Sequence, residues 1–214
     1  MTKSQKEEDE ELIFRIITLG NSGVGKTSIL KRYVFNKFEE SAISSIGVIF
    51  SFKDVAIKND ENKKVKLKLI DTAGEEKYRS LSKSYYKTAE AVIFVFALNS
   101  KESFDEITNW LNLFKENNND DIPKYLIGNK TDLEREIDND IILEFSKDNN
   151  LKYIELSAKN AQNISEFFDE IANDLYKNYL EKGDLNKNKN ANKIKLTSNP
   201  KKKKGNCCKK NGKA

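Results

Sequence analysis

Two hydrophobic patterns alternate along the chain and predict an α/β domain. Residues 12–19 form an apolar run typical of a strand, and residues 26–36 behind it are typical of a helix. Residues 91–98 are uniformly apolar, as in a parallel strand that is covered on both faces. The apolar positions that follow at helical spacing are Phe104, Ile107, Leu111 and Phe114.

The segment between these regions has a different, alternating pattern. Residues 47–57 are expected to form a strand, and residues 59–62 supply a turn. Within residues 65–69, apolar positions alternate with lysines, which indicates a strand with one exposed face. We therefore expect an antiparallel hairpin at the edge of the sheet, with its second strand ending at Asp71.

The rest of the domain again alternates strands with helices. Strands are predicted at residues 125–127 and 153–156, and helices at residues 138–148 and from residue 163 onward. The core stripe of the last helix is Ile164, Phe167, Phe168, Ile171 and Leu175. The predicted fold is α/β with three layers: about five helices and a mainly parallel six-stranded sheet with one antiparallel edge hairpin strand.

Charge divides the chain into regions. Residues 181–214 contain twelve Lys against Glu181 and Asp184, a net charge of +10, whereas the whole chain has +4. We expect a disordered, acidic N-terminus at residues 1–11, a globular domain at residues 12–180, and a disordered basic tail beyond it. The acidic body argues against nucleic-acid binding, and the tail is expected to have its own partner.

Composition excludes several kinds of chemistry. The chain has no His, which excludes His-dependent triads and His metal sites. Both cysteines, Cys207 and Cys208, lie outside the globular domain, so a disulfide framework is excluded there and a reducing compartment is favoured. The first residues have neither a signal-peptide core nor a myristoylation glycine, and we expect a cytosolic body.

A glycine-rich turn between the first strand and the first helix carries the first candidate site. Residues 20–27 match G-x-x-x-x-G-K-T, the spacing of a phosphate-binding loop, although a chance turn is the alternative. Glycines let backbone N–H groups surround phosphate oxygens at a helix N-terminus. Lys26 is expected to reach the β and γ phosphates, and Thr27 to ligate Mg²⁺. The predicted contacts are Asn21, Ser22, Gly23, Val24, Gly25, Lys26, Thr27 and Ser28.

Three further motifs follow predicted strands, so we expect them at the same edge of the sheet. Residues 71–74 read D-T-A-G. The Asp71 carboxylate is suited to hold Mg²⁺ through water, and the Gly74 N–H to contact a terminal phosphate. Such a short pattern is common, and it gains weight only from the phosphate loop upstream.

The remaining two motifs identify the base. Residues 129–132 read N-K-T-D, and the Asp132 carboxylate can accept the N1–H and 2-amino hydrogens of guanine, donors that adenine lacks. Residues 157–159, S-A-K, offer a backbone N–H for the guanine O6. N-K-x-D alone also fits a surface turn, but the four motifs in this order favour a guanine nucleotide. The predicted contacts are Asn129, Lys130, Asp132, Ser157, Ala158 and Lys159.

Over about residues 10–180 the chain resembles a small GTPase of the Ras superfamily, and within it the Rab branch. The Rab-like positions outside the nucleotide motifs are Ile46, Gly47, Val48, Phe50, residues 66–69, residues 78–81, Tyr85, Tyr86 and Ala89, with the Cys pair. The resemblance implies a P-loop GTPase domain that binds GTP or GDP with Mg²⁺, hydrolyses GTP and regulates vesicle traffic as a switch. It also implies switch segments at residues 38–50 and 72–85, with Ser45 on Mg²⁺ and the γ-phosphate and Phe38 against the guanine face.

Four positions depart from the Rab pattern. Ser45 stands where Thr is usual and keeps the liganding oxygen, whereas Ile49 and Ile70 replace Asp and Trp on the surface that effectors read. Glu75 stands where the family has the Gln that orients the attacking water. An ionised carboxylate repels phosphate and cannot donate a hydrogen bond, so we expect slow intrinsic hydrolysis. The implied catalytic set is Lys26, Ser45 and Glu75.

The basic tail resembles the membrane-anchoring end of Rab proteins. Residues 201–204 are all Lys, and the resemblance implies geranylgeranyl groups on Cys207 and Cys208. Two lipid chains with nearby lysines give stable anchoring to anionic membranes. Residues 209–214 follow the Cys pair, whereas in the family the pair usually lies within a few residues of the end. A nuclear-localisation-like or merely solvated basic run is the alternative.

The resemblance also implies partners: an exchange factor, a GTPase-activating protein, a GDP-dissociation inhibitor and effectors. We expect a monomer on the cytosolic face of an intracellular membrane, cycling with the cytosol. The organelle and the identity of the effectors stay open. Two other functions also stay open, a P-loop kinase or ATPase and a GTP-locked membrane-associated scaffold with negligible turnover.

Overall fold

The computed structural model describes residues 11–40, 47–58, 60–72, 84–118 and 121–196, without the side chains of residues 61, 62 and 183–196. The chain divides into two compact units, Met1–Lys177 and Asn178–Ala214. The first unit contains the sheet. The described part of the second consists of the later turns of the last helix.

A six-stranded sheet forms the centre of the first unit. Its strands are β1 (Ile13–Leu19), β2 (Val48–Ile57), β3 (Asp60–Thr72), β4 (Ala91–Ala97), β5 (Lys124–Asn129) and β6 (Lys152–Glu155). Their order across the sheet is β2-β3-β1-β4-β5-β6, and every pair is parallel except β2 with β3. The predicted, mainly parallel sheet with one antiparallel edge strand is therefore confirmed.

Helices lie between the strands, as the hydrophobic spacing predicted. The described residues contain α1 (Lys26–Phe35), α2 (Lys101–Asp105), α3 (Ile107–Asn117), α4 (Asn139–Asp148) and α5 (Ile164–Leu196). The Ser100 hydroxyl caps α2 by accepting from the Ser103 N–H, and the Asp138 carboxylate caps α4 by accepting from the Asp140 N–H.

The sheet is covered on both faces, so the domain has three layers. On one face, α1 and α5 contribute a cluster in which the Tyr33 and Phe168 rings stack at 4.1 Å. On the other face, α2, α3 and α4 contribute a second cluster, in which Phe94 of β4 meets Phe114 edge to face. All seven residues of β4 are buried, which explains its uniformly apolar sequence.

The last helix is the longest of the described helices. The sequence predicted an ordered domain ending at residue 180, and α5 continues to Leu196. No proline interrupts Ile164–Leu196, and each residue added to an existing helix gains a backbone hydrogen bond without a new nucleus. None of the described helices is both long enough and apolar enough to cross a bilayer.

Candidate functional site

A cavity of about 320 Å³ lies where β1, β3 and β5 end. It is lined by residues from the segment 22–28, by residues 38–40, by Thr72, by residues from the segment 129–133, and by Ala158 and Lys159. Residues that are far apart in the sequence thus meet at one edge of the sheet, as expected for a ligand site in a parallel sheet.

The turn from β1 into α1 requires glycine at two positions. Gly20 has φ 146°, and a Cβ there would lie 2.1 Å from the Val95 carbonyl oxygen of β4. Gly25 has φ 99°, and a Cβ there would lie 2.2 Å from Nδ2 of Asn129. The loop therefore packs its backbone against β4 and against the N-K-T-D segment, and any side chain would displace it.

Lys26 begins α1 and is only 5% exposed. Its Nζ donates to the carbonyl oxygens of Gly20 at 2.9 Å and Asn21 at 2.8 Å, so the ammonium group lies across the loop. Burial lowers the pKa of Lys26 from 10.5 to about 8, and the negative charge of Asp71 opposes this shift. A buried ammonium group in a cavity is suited to an anionic ligand such as phosphate.

Thr27 and Asp71 meet at the end of β3. The Thr27 Oγ1 donates to Asp71 Oδ2 at 2.6 Å, and Asp71 is 3% exposed. A hydroxyl and a carboxylate side by side are hard oxygen donors of the kind that Mg²⁺ prefers. No group of three or more His, Cys, Asp or Glu within the described segments could hold a metal ion, and Mg²⁺ commonly takes only one or two protein oxygens.

Asn129 joins the phosphate loop to the S-A-K segment. Its Nδ2 donates to the Val24 carbonyl at 2.8 Å, and its Oδ1 accepts from the Ala158 N–H at 3.2 Å. Asn129 is 2% exposed, so both hydrogen bonds are shielded from water. This one amide fixes the distance between the two segments.

Asp132 and Ser157 form the next contact. The Ser157 hydroxyl donates to Asp132 Oδ1 at 2.5 Å and accepts from the Asn160 N–H at 3.1 Å. Ser157 is fully buried, whereas Asp132 lines the cavity. The serine therefore orients the carboxylate, which retains lone pairs for donors on a ligand.

Arg32 holds the S-A-K segment against α1, and the sequence analysis missed it. Its Nε donates to the Ala158 carbonyl at 2.9 Å and its Nη2 to the Lys159 carbonyl at 3.0 Å. The same guanidinium lies 5.9 Å from the centre of the Phe38 ring and bonds Asn36. An arginine on a helix face has no motif that could reveal such a role.

Two acidic residues beside Phe38 were also missed. Glu39 pairs with Lys31 at 2.8 Å, and Glu40 pairs with Lys159 at 2.9 Å. The hydrogen bond from each lysine is the main cause that lowers the pKa of each carboxyl group. Both carboxylates are exposed, so the pairs contribute little to stability, but they place residues 39 and 40 at the cavity.

The structure places most of the predicted contacts in the cavity lining. Among the predicted residues that are described, those outside the lining are Asn21, Val24, Asp71 and Ser157. Val24 is a core residue at 2% exposure, and the other three act on lining residues through hydrogen bonds. Thr72 and Leu133 line the cavity without having been predicted. Ser45, Gly74, Glu75, Cys207 and Cys208 lie outside the described residues.

Comparison with known proteins matches the chain to one family. The model of the Ras family matches residues 15–177. The chain is similar to Ras-related protein Rab-11B of Dictyostelium discoideum, with 38% identity over 188 residues, 85% of this chain and 84% of the relative. It is also similar to GTP-binding protein ypt3 of Schizosaccharomyces pombe, with 34% identity over 80% of each chain. Ras-related protein Rab-8B of Bos taurus is 32% identical over 90% of this chain and 93% of its own.

Proposed function

Because the chain belongs to the Ras family and to its Rab branch, we propose that its cavity holds a guanine nucleotide with Mg²⁺ and that Glu75 slows hydrolysis. As a Rab-like small GTPase, the protein hydrolyses GTP and regulates vesicle traffic. The observation that carries the proposal for the cavity is the Ser157–Asp132 hydrogen bond, since it orients the base-selecting carboxylate within the lining.

The base lies at the end of the cavity formed by residues 129–132 and 157–159. The oriented Asp132 carboxylate accepts the N1–H and 2-amino hydrogens, and Phe38, which lines the cavity, packs against the ring face. Adenine would leave the carboxylate without donors, which costs affinity because the desolvated charge stays unpaired. The proposed contacts at this end also include Lys130 and Lys159.

The phosphates lie on the loop at residues 20–27. Lys26 Nζ leaves the Gly20 and Asn21 carbonyl oxygens for the β and γ phosphates, and their negative charge raises its pKa from about 8. Thr27, Asp71 and Ser45 would hold Mg²⁺, whose charge neutralises phosphate oxygens when it is bound. Gly74 contributes a backbone N–H to the γ-phosphate.

Glu75 sets the rate of intrinsic hydrolysis. An ionised Glu repels the γ-phosphate and donates no hydrogen bond to orient water, so the GTP state is long-lived. We expect Glu75→Gln to hydrolyse bound GTP faster in a single-turnover assay. Glu75→Ala, which lacks both charge and amide, separates removal of repulsion from gain of a donor. Equal rates for the wild type and Glu75→Gln would refute the role of Glu75 and leave nucleotide binding unaffected.

Base selection is tested by changing Asp132. Wild-type protein is expected to bind GDP strongly and ADP weakly in a fluorescence titration. Asp132→Asn replaces an acceptor by an NH₂ donor and should shift preference towards xanthosine diphosphate, whose 2-oxo group accepts. Ser28→Ala, a lining change in the first turn of α1, should leave the ratio of xanthosine to guanosine binding unchanged. Equal binding of ADP and GDP by the wild type would contradict the assignment of the base.

Residues 181–214 form the membrane-binding tail of the protein, beyond a GTPase domain at residues 12–180. Geranylgeranyl groups on Cys207 and Cys208, together with the lysines at residues 201–204, attach the protein to the cytosolic face of an intracellular membrane. The protein is a monomer and exchanges between this membrane and the cytosol. Exchange factors, GTPase-activating proteins, a GDP-dissociation inhibitor and effectors act on it. Mass spectrometry of the protein from its native cell should find both thiols modified, and unmodified thiols would refute the anchor.

A further inference from the structure

Trp110 of α3 contacts the phosphate loop across the core. The indole Nε1–H donates to Asn21 Oδ1 at 2.8 Å, between residues 89 positions apart in the sequence. Trp110 is 1% exposed and is the only tryptophan of the chain. The hydrogen bond is part-buried because Asn21 is partly exposed, but the indole N–H itself is shielded from water, so loss of the acceptor would leave a buried donor unsatisfied.

Asn21 is linked to the phosphate-binding lysine as well. Its backbone carbonyl accepts from Lys26 Nζ at 2.8 Å, while its side chain accepts from Trp110. Asn21 occupies a variable position of the G-x-x-x-x-G-K-T pattern and does not line the cavity. We propose that Trp110 is a positioning residue, which holds the first turn of the phosphate loop through Asn21 and thereby sets how long a nucleotide stays bound.

The same helix contacts the chain that follows the second predicted switch segment. The Asn118 side chain, just beyond α3, donates to the Tyr86 carbonyl at 2.6 Å. Within α3, the Phe114 ring meets the Tyr86 ring edge to face at 5.8 Å. The first turn of α3 bonds the phosphate loop through Trp110, and the last turn of α3 contacts Tyr86. The helix therefore connects the phosphate loop to the chain that follows the second predicted switch segment.

This arrangement makes Trp110 a reporter of the loop. When phosphate draws Lys26 Nζ away from the Asn21 carbonyl, the hydrogen bond between Asn21 and the indole changes as well. The inference rests on the proposed binding of a guanine nucleotide. The fluorescence emission of Trp110 should therefore differ between the nucleotide-free and the GDP-bound protein.

The test is a double-mutant cycle on GDP release. Trp110→Phe keeps a buried aromatic ring without the N–H, and Asn21→Ala removes the acceptor in an accessible loop. Each should speed release of a fluorescent GDP analogue about three- to tenfold, the effect of one hydrogen bond, and the double variant should release no faster than either alone. Tyr125→Phe is the matched control, since it removes a 2.9 Å hydrogen bond to Asp174 away from the cavity, and it should release at the wild-type rate.

Tryptophan emission separates positioning from general loss of structure. Asn21→Ala should shift the emission maximum of Trp110, whereas Asn21→Asp, which keeps an acceptor oxygen, should preserve it. Two results would overturn the inference while leaving nucleotide binding intact. The first is that the two substitutions speed GDP release additively in the double variant, and the second is that Asn21→Ala and Trp110→Phe each release GDP at the wild-type rate. If the wild type itself retains no GDP, the proposed function fails and the inference fails with it.

Discussion

Replacing Arg32 by Met tests whether an arginine on α1 supports the end of the cavity that we propose to bind guanine. Arg32→Met keeps much of the aliphatic stem but loses the hydrogen bonds to the Ala158 and Lys159 carbonyl oxygens. A hydrogen bond from a charged donor contributes about 1.5–3 kcal/mol, and exposure of the guanidinium reduces this. We take about 1.5 kcal/mol for the pair, which corresponds to about tenfold weaker GDP binding.

The assay is dissociation of a fluorescent GDP analogue, followed after addition of excess unlabelled GDP. Arg32→Met should release GDP and GTP faster by the same factor, because the contacts lie at the base and not at the γ-phosphate. Arg32→Lys keeps the positive charge but lacks the planar guanidinium, so its rate of GDP release should lie between those of the wild type and Arg32→Met. Arg15→Met is the matched control, since Arg15 bonds Thr88 and Glu90. Release by Arg32→Met within twofold of the control would refute the reasoning.

Other residues give predictions with different readouts. Burial gives Lys26 a pKa of about 8 that bound phosphate raises, so GDP affinity should be constant below pH 8 and fall above it more steeply than for Lys26→Met, whose binding weakens there only as the guanine N1–H ionises. A titration from pH 7 to pH 10 checks this, and parallel profiles for the two proteins would contradict it. Phe168→Ala should cost about 3–5 kcal/mol in urea unfolding, because the ring is fully buried, whereas Phe35→Ala, 59% exposed, should cost under about 0.5 kcal/mol. Gly20→Ala should yield no folded, GDP-retaining protein on gel filtration, because its Cβ would overlap a carbonyl 2.1 Å away.

The sheet could be predicted from the sequence because its central strands are buried on both faces and its edge hairpin on only one. β4 lies between β1 and β5 with both faces covered, so every position is apolar. In contrast, the lysines of β3 alternate with buried leucines, such as Leu67 and Leu69, because one face of the hairpin is exposed. The sequence does not mark the end of α5, because a run rich in Lys and Asn has no strong stop signal.

Candidate site residues could be predicted where they belong to a short sequence motif. They could not be predicted where a residue contacts a segment that is distant in the sequence. Asp132 and Lys26 belong to motifs whose spacing alone indicates their roles. Arg32 and Trp110 act on loops 126 and 89 positions away in the sequence, and their periodicity marks them only as helix residues. Leu133 lines the cavity as an exposed apolar side chain, a feature with no sequence signature.

Asn129 has a thermodynamic consequence for nucleotide exchange. Since one amide bonds both the Val24 carbonyl and the Ala158 N–H, the two halves of the site that we propose to bind phosphate and base are coupled. Substitutions in the two halves should therefore give non-additive changes in affinity. A partner protein that displaces either the phosphate loop or the S-A-K segment would weaken nucleotide binding at both ends of the cavity. An exchange factor therefore needs to contact only one of these two segments.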